Sequence, residues 1–181
     1  MKSFRLATAL FALSASVAFA ENPMVGGAPM YETKNIVENA VNSADHTTLV
    51  AAVQAAGLVE TLQGAGPFTV FAPTHEAFAK LPAGTVENLV KPENKDTLVK
   101  ILTCHVVGKA VLAEALQGMI KDDGGKHPVQ TLGGCTLQAT YEDGAMKLAD
   151  EQGNVATVTI ADVIQSNGVI HVIDTVMLPK M

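Results

Sequence analysis

From Ile36 to Leu102 the apolar positions recur at spacings of three and four. Ile36, Val37, Ala40 and Val41 make one stripe, and Leu49, Ala52, Val53 and Ala56 another; Leu98, Ile101 and Leu102 close the series. Stripes of this kind predict short amphipathic helices. Asp45 is placed to cap the second helix, Gly57 to end it and Pro92 to open the last. Leu58, Val59 and Leu62 add a further turn, as do Val86, Leu89 and Val90. One run breaks the helical period. Between Gly66 and Pro82, Phe68, Val70 and Ala72 alternate with Thr69 and Phe71, which predicts a short strand stopped by Pro73. Thr74 then caps a helix carrying Ala77, Phe78 and Leu81, ended by Pro82.

Cys104–Val107 reads as a strand, Val111–Leu116 as a short helix and Lys121–His127 as a charged loop containing glycine. Beyond Pro128 the period becomes two. Leu137, Ala139 and Tyr141 alternate with polar partners, Asp143-Gly144 makes a turn, and Met146 and Leu148 continue. Asp150–Asn154 turns again, Ala156, Val158 and Ile160 alternate, and Ser166-Asn167-Gly168 is the last hairpin turn before Val169–Ile173. Helices followed by antiparallel strands point to an α+β fold. Within the last strand the same period sets Ile170 and Val172 toward the core, with His171 on the opposite face beside Val169 and Ile173. A histidine among aliphatics is then expected to be neutral and to donate a ring hydrogen to a carbonyl or side chain of a neighbouring strand, near His105.

The N-terminus is read separately. Lys2 and Arg5 precede an apolar run from Leu6 to Phe19 that ends in Ala18-Phe19-Ala20, the pattern of a signal peptide over residues 1–20. That run is shorter than the ~20 residues needed to span a bilayer. Cleavage is expected after Ala20, giving an exported chain in the periplasm or outside the cell. No cysteine stands there to accept a lipid, so neither a lipid anchor nor membrane insertion is expected. Residues 21–33, rich in Gly, Pro and Met, read as an extended arm; Met24 and Met30 are weak candidates for a soft metal and better ones for covering a core edge. Removing Lys2 and Arg5 leaves 10 of the 12 basic side chains against 18 acidic ones, a net charge of −8. An acidic chain without a basic stripe does not suit nucleic acid or anionic lipid.

Catalytic chemistry finds no constellation. His75-Glu76 lacks the second histidine of a zinc-protease helix, since Ala79 stands at that position. His46 and His127 read as solvated. Ser43 and Ser166 lie in no nucleophile turn. Cys104 and His105, adjacent in a strand, would face opposite ways. No phosphate loop, cofactor site or metal site is read, and the chain is expected not to be an enzyme. Cys104 and Cys135, two cysteines in an exported protein, are expected to pair in a disulfide; two buried free thiols are the alternative.

The run GPFTVFAPTHEAFAKLP, with Phe68, Phe71, Pro73, Thr74 and Phe78, resembles the first signature box of the fasciclin-like (FAS1) domain. Asn167, Gly168, His171 and Asp174 stand in a run that resembles the second box. Leu102–Val107 is similar to the family's tyrosine-histidine segment, with Cys104 in place of tyrosine, and His75 replaces the usual acid. The resemblance covers about Asn35 to Pro179, with the domain at 34–179. It implies a wedge of two β-sheets, and the pattern itself gives about seven strands and five or six short helices. It also implies a non-enzymatic adhesion or matrix module that recognises protein or glycan at a cell surface, with His105, Val106, Val107, Asp162 and Val163 as candidate contact residues. Asp162 is alternatively an acid that orders its own turn. A second reading is a periplasmic module that binds a small ligand or steadies an envelope assembly.

Overall fold

A computed structural model describes residues 22–180. The predicted signal peptide and its cleavage point at Ala20 lie outside the described residues.

Helices dominate the first half: α1 (Ile36–Ala40), α2 (Thr47–Ala56), α3 (Val59–Gln63), α4 (His75–Ala79), α5 (Thr85–Leu89) and α6 (Lys95–Thr103), with α7 (Ala113–Asp122) following later. The strands are β1 (Met24–Val25), β2 (Ala28–Pro29), β3 (Phe68–Pro73), β4 (Val106–Val107), β5 (His127–Gln130), β6 (Thr136–Glu142), β7 (Ala145–Ala149), β8 (Val155–Gln165) and β9 (Gly168–Ile173). Seven of these form one sheet in the order β4-β3-β9-β8-β7-β6-β5. All neighbours are antiparallel except β3 and β9, the two strands of the signature runs, which pair in parallel from Phe68 and Gly168 to Pro73 and Ile173. β8 joins two wings: it pairs with β7 through Val155–Thr157 and with β9 further along, where its register slips between Val158 and Val163. Such bulges bend a strand, and the expected pair of larger sheets is here one continuous seven-stranded sheet.

β3 and β9 are buried on both faces, and the period of two divides their side chains between two cores. Val70, Ala72, Ile170 and Val172 pack with Leu49, Val53, Leu98, Ile101 and Leu102 of the helical layer. Phe71 and Ile173 point the other way, into a core shared with Val107, Leu116, Ile120, Leu137 and Leu148. The strands approach so closely that a side chain at Gly168 would fall on the Phe68 carbonyl, which fixes glycine there.

The α+β expectation holds, with nine strands and seven α-helices among the described residues in place of the smaller counts. Several local readings are corrected. Of the arm expected at 21–33, the described residues 22–33 are not simply extended, because β1 and β2 pair and Val25 and Met30 are buried in the helical-side core. Asp45 does not cap α2; it lies inside a 3₁₀ turn (Ala44–His46) that leads into the helix without a side-chain cap. Cys104 ends α6 and is not in a strand, since only Val106 and Val107 pair with β3. α7 starts at Ala113 and continues to Asp122, past the expected end at Leu116 and into the first two residues of the expected loop. His127 begins β5 and its Nδ1 lies 2.6 Å from Asp123 Oδ2, so it is not simply solvated.

Candidate functional site

The sheet's two outer strands, β4 and β5, both border one cavity of about 200 Å³. They nearly meet: Leu132, just past β5, donates its N–H to the Val106 carbonyl at 2.8 Å. Phe71, Val107, Leu116, Met119 and Val129 supply apolar walls, while Thr69, Lys109, His127 and Gln130 add polar groups. A concave, mostly apolar space with a few polar groups is the usual form of a ligand site.

One margin of this cavity is the segment from Gly108 to Leu112, which contributes Lys109 and Val111 and is held by side chains of β3 and β9, with Asp162 of β8 fixing the adjoining Ala113. Thr69 Oγ1 of β3 donates to the Lys109 carbonyl at 2.6 Å and accepts from the Val111 N–H at 2.8 Å. His171 of β9 lies 2.8 Å from the Val111 carbonyl through Nε2, and its Nδ1 accepts from the Asp162 N–H at 3.2 Å. The accepting Nδ1 fixes the tautomer, so Nε2 carries the hydrogen and donates. Phe71 stacks on the ring at 5.7 Å between centroids. Burial lowers the His171 pKa, against the opposing effects of the Val111 carbonyl and Asp162, and the ring is neutral. Asp162 Oδ1 accepts from the Ala113 N–H at 2.7 Å, at the first residue of α7.

The histidine expectation therefore holds in its alternation and its backbone donation. The partner is different: it is a loop carbonyl 60 residues away in sequence, not a strand near His105. His105 itself makes an analogous clip. Its Nε2 accepts from the Met177 N–H at 2.9 Å, so Nδ1 donates to the Ile101 carbonyl, also at 2.9 Å. Complete burial pushes its pKa down to about 4.

The candidate contact residues do not form a common surface. His105, Val106, Val107 and Val163 are buried, and of the five only Asp162 is exposed. Asp162 does not order a turn of its own; it caps a distant helix from the β8 bulge, with φ at 57°. The signature-run residues are structural in placement. Thr74 Oγ1 caps α4 through the Ala77 N–H, Phe78 is buried beneath it, and Phe68 is half-buried. Asn167 accepts from the Ile36 N–H and donates to the Leu62 and Gly64 carbonyls. Asp174 accepts from the Thr157 N–H and lies 3.8 Å from Lys80.

Cys104 and Cys135 are joined, their Cα atoms 5.4 Å apart. The bond ties the end of α6 to the start of β6. It also supplies the real reason His105 does not activate Cys104, since the reading of opposite strand faces rested on a strand that is not there. Among the described residues, no three His, Cys, Asp or Glu side chains stand together as a metal site.

Sequence reasoning missed Thr69, Val111 and Lys109. A threonine in an apolar strand was a faint signal for the first, and nothing local marked the others. It also read His46 as solvated. The ring is buried in the helical core, with Nδ1 3.0 Å from Ser43 Oγ.

The Fasciclin domain profile matches residues 44–179, and the chain belongs to that family. The chain is 51% identical over 162 residues to Protein sll1483 of Synechocystis, covering 89% of this chain and 82% of that one. It is 35% identical to the immunogenic protein MPB70 of Mycobacterium bovis, over 77% of this chain and 66% of the relative. Transforming growth factor-beta-induced protein ig-h3 of Sus scrofa is also 35% identical, but this chain spans only 17% of it. Among solved structures, a FAS1 domain pair from the insect cell adhesion molecule fasciclin I superposes with a TM-score of 0.70 at 18% identity, over 80% of this chain and 51% of that one, a likeness of fold.

Proposed function

We propose that the chain is an exported, non-enzymatic recognition module that binds a protein or glycan at the cell envelope or surface. The observation that carries this reading is the seam between β4 and β5. There a cavity of about 200 Å³ opens beside the exposed Gly108–Leu112 segment, which Thr69 and His171 hold in place. Leu112 is 43% exposed and Asp162 lies beside it at the start of α7, so the margin offers an apolar contact with a charged flank. Fixed backbone with an exposed apolar residue is suited to recognition, because little freedom is lost on binding. Description of the insect relative as a cell adhesion molecule supports the same class. Among the described residues no helix is long and apolar enough to cross a membrane.

Fractionation of producing cells, followed by retention of protein-coated beads on whole cells and isolated envelopes, tests the reading. The combined variant Lys109→Glu, Leu112→Asp is expected to lower retention several-fold while melting at the wild-type temperature. A cytosolic location, or retention no greater than that of albumin-coated beads, rules the proposal out. The cavity also favours a second reading, a small-ligand binder of the envelope; soluble ligand that protects the cavity without bead retention would select it.

A further inference from the structure

A second cavity, of about 50 Å³, lies on the opposite side of β3 and β9, beneath α1, α2 and α3. Its floor is Val70, Ala72 and Ile170, its outer wall includes the half-buried Val37 and Val50, and no charged side chain lines it. His46 lines it too, and the ring is only 2% exposed. Among the described residues, His46 Nε2 is the buried side-chain polar atom left without a hydrogen-bond partner. Burial lowers the His46 pKa against the opposing hydrogen-bonding pull of the Ala72 carbonyl, a contact too poorly formed to satisfy Nε2, and against the charge of Asp45, so the ring is neutral.

Which nitrogen carries the hydrogen follows from Ser43. Its hydroxyl is buried and its partner is His46 Nδ1. If Ser43 donates to Nδ1, only the Nε2–H is left unpaired. If Nδ1–H donates to Ser43 instead, both the serine hydrogen and the Nε2 lone pair are stranded. The first arrangement strands fewer buried groups and is favoured. The unpaired N–H donor then belongs to a ring that lines a mostly apolar, uncharged cavity, where the other polar side chains are Gln54 and the fully paired His105. Burial of an unpaired donor is unfavourable, and a molecule that supplied an acceptor there would recover it.

We propose that this cavity is a binding site for a small uncharged molecule with an apolar body and one acceptor oxygen, of the ketone, aldehyde or ester class, whose oxygen accepts from His46 Nε2–H. A carboxylate is excluded by desolvation, since no cation is present to meet it. The volume is a third or so of the ~150 Å³ that holds benzene in an engineered apolar cavity, so a longer chain must extend outward between Val37 and Val50. This site is separate from the β4–β5 seam and stands whether or not the recognition reading does.

The probe is 2-pentanone, compared with pentane and pentanoate, in titrations that follow the His46 ring nitrogens by NMR. The ketone is expected to move the Nε2 resonance saturably and to bind about tenfold tighter than pentane, the difference made by one hydrogen bond; pentanoate should leave the resonance unmoved. His46→Leu should abolish the preference for ketone over alkane, and Val50→Phe should weaken both by filling the mouth. Should His46→Leu fail to fold, the wild-type titration and Val50→Phe decide the matter. An Nε2 resonance that does not respond up to the ketone's solubility limit overturns the proposal. So does a water contact at Nε2 that persists at saturating ketone, or equal binding of ketone and pentane by wild type.

Discussion

Asn167 is one side chain with three backbone partners on two separate helices. Its Oδ1 takes the Ile36 N–H at the start of α1, and its Nδ2 reaches the Leu62 and Gly64 carbonyls at the end of α3. Replacement by alanine leaves those groups unpaired in a buried place, at about 1 to 3 kcal/mol each before relaxation. Asn167→Ala is therefore expected to lose at least about 3 kcal/mol in urea unfolding, and Asn167→Asp to be nearly as harmful because a carboxylate cannot donate to two carbonyls. His171→Ala removes the Val111 clip and the Phe71 stack, and should lower the melting temperature by several degrees, about 2 kcal/mol for a chain of this size. An unaltered melting temperature with lost bead retention would mean that the ring acts in recognition and not in structure. The alternation of His171 with Ile170 and Val172 was legible from the period of two. Its partner was not, because Val111 is brought to it by the tertiary fold alone. His46 failed for a related reason: polar neighbours in sequence say nothing about the helices that close over a 3₁₀ turn.

At the scale of elements, the signature runs were read correctly because their signals are local: a period of two, a proline stop and a threonine cap. α7 was misplaced because its cap is not local. Leu112 precedes the helix and offers no side-chain acceptor; Asp162, in the bulge of β8, supplies it from 49 residues away. The amphipathic face of α7, Leu116 and Ile120, is buried in the second core, so the helix needs only its start fixed. Asp162→Asn keeps both an acceptor oxygen and tolerance of positive φ, and should be close to neutral. Asp162→Ala loses the cap at a cost of ~1 kcal/mol, with added strain from the positive φ. Hydrogen exchange at the first amides of α7 checks this, with faster exchange expected in Asp162→Ala and not in Asp162→Asn. If both variants exchange alike, the cap is not what starts the helix. The β1–β2 hairpin escaped sequence reading because its Gly- and Pro-rich composition also describes a linker, and only the burial of Val25 and Met30 distinguishes the two.

For the whole molecule, two kinds of clip hold distant segments together. The Cys104–Cys135 bond closes a separation of 31 residues, for which the chain-entropy account gives roughly 3 to 4 kcal/mol. Reduced protein should accordingly have a lower urea midpoint and a somewhat steeper slope, because its unfolded chain is less compact. The buried histidines are the other kind, and they make stability depend on pH. His105 joins α6 to the C-terminal segment at Met177, and His171 joins β9 to the segment before α7. Each accepts a backbone N–H through one nitrogen, so protonation breaks a hydrogen bond as well as placing a charge in the core. Burial holds His105 at about 4 against 6.5 for a free side chain, and lowers His46 and His171 as well. Between those two values the unfolded chain binds the proton and the native chain does not, so stability rises with pH across the window. It is complete above about pH 7 and falls as the pH drops from 6.5 toward 4, by roughly 3 kcal/mol for His105 alone. Below that window both states are protonated at His105, and it adds no further loss. Urea midpoints measured from pH 7.5 down to 4, on wild type and on a His105→Gln variant, test the assignment. Gln keeps a donor and an acceptor but does not titrate, so its pH slope should be shallower over the same range. Parallel slopes for the two proteins would place the acid sensitivity elsewhere.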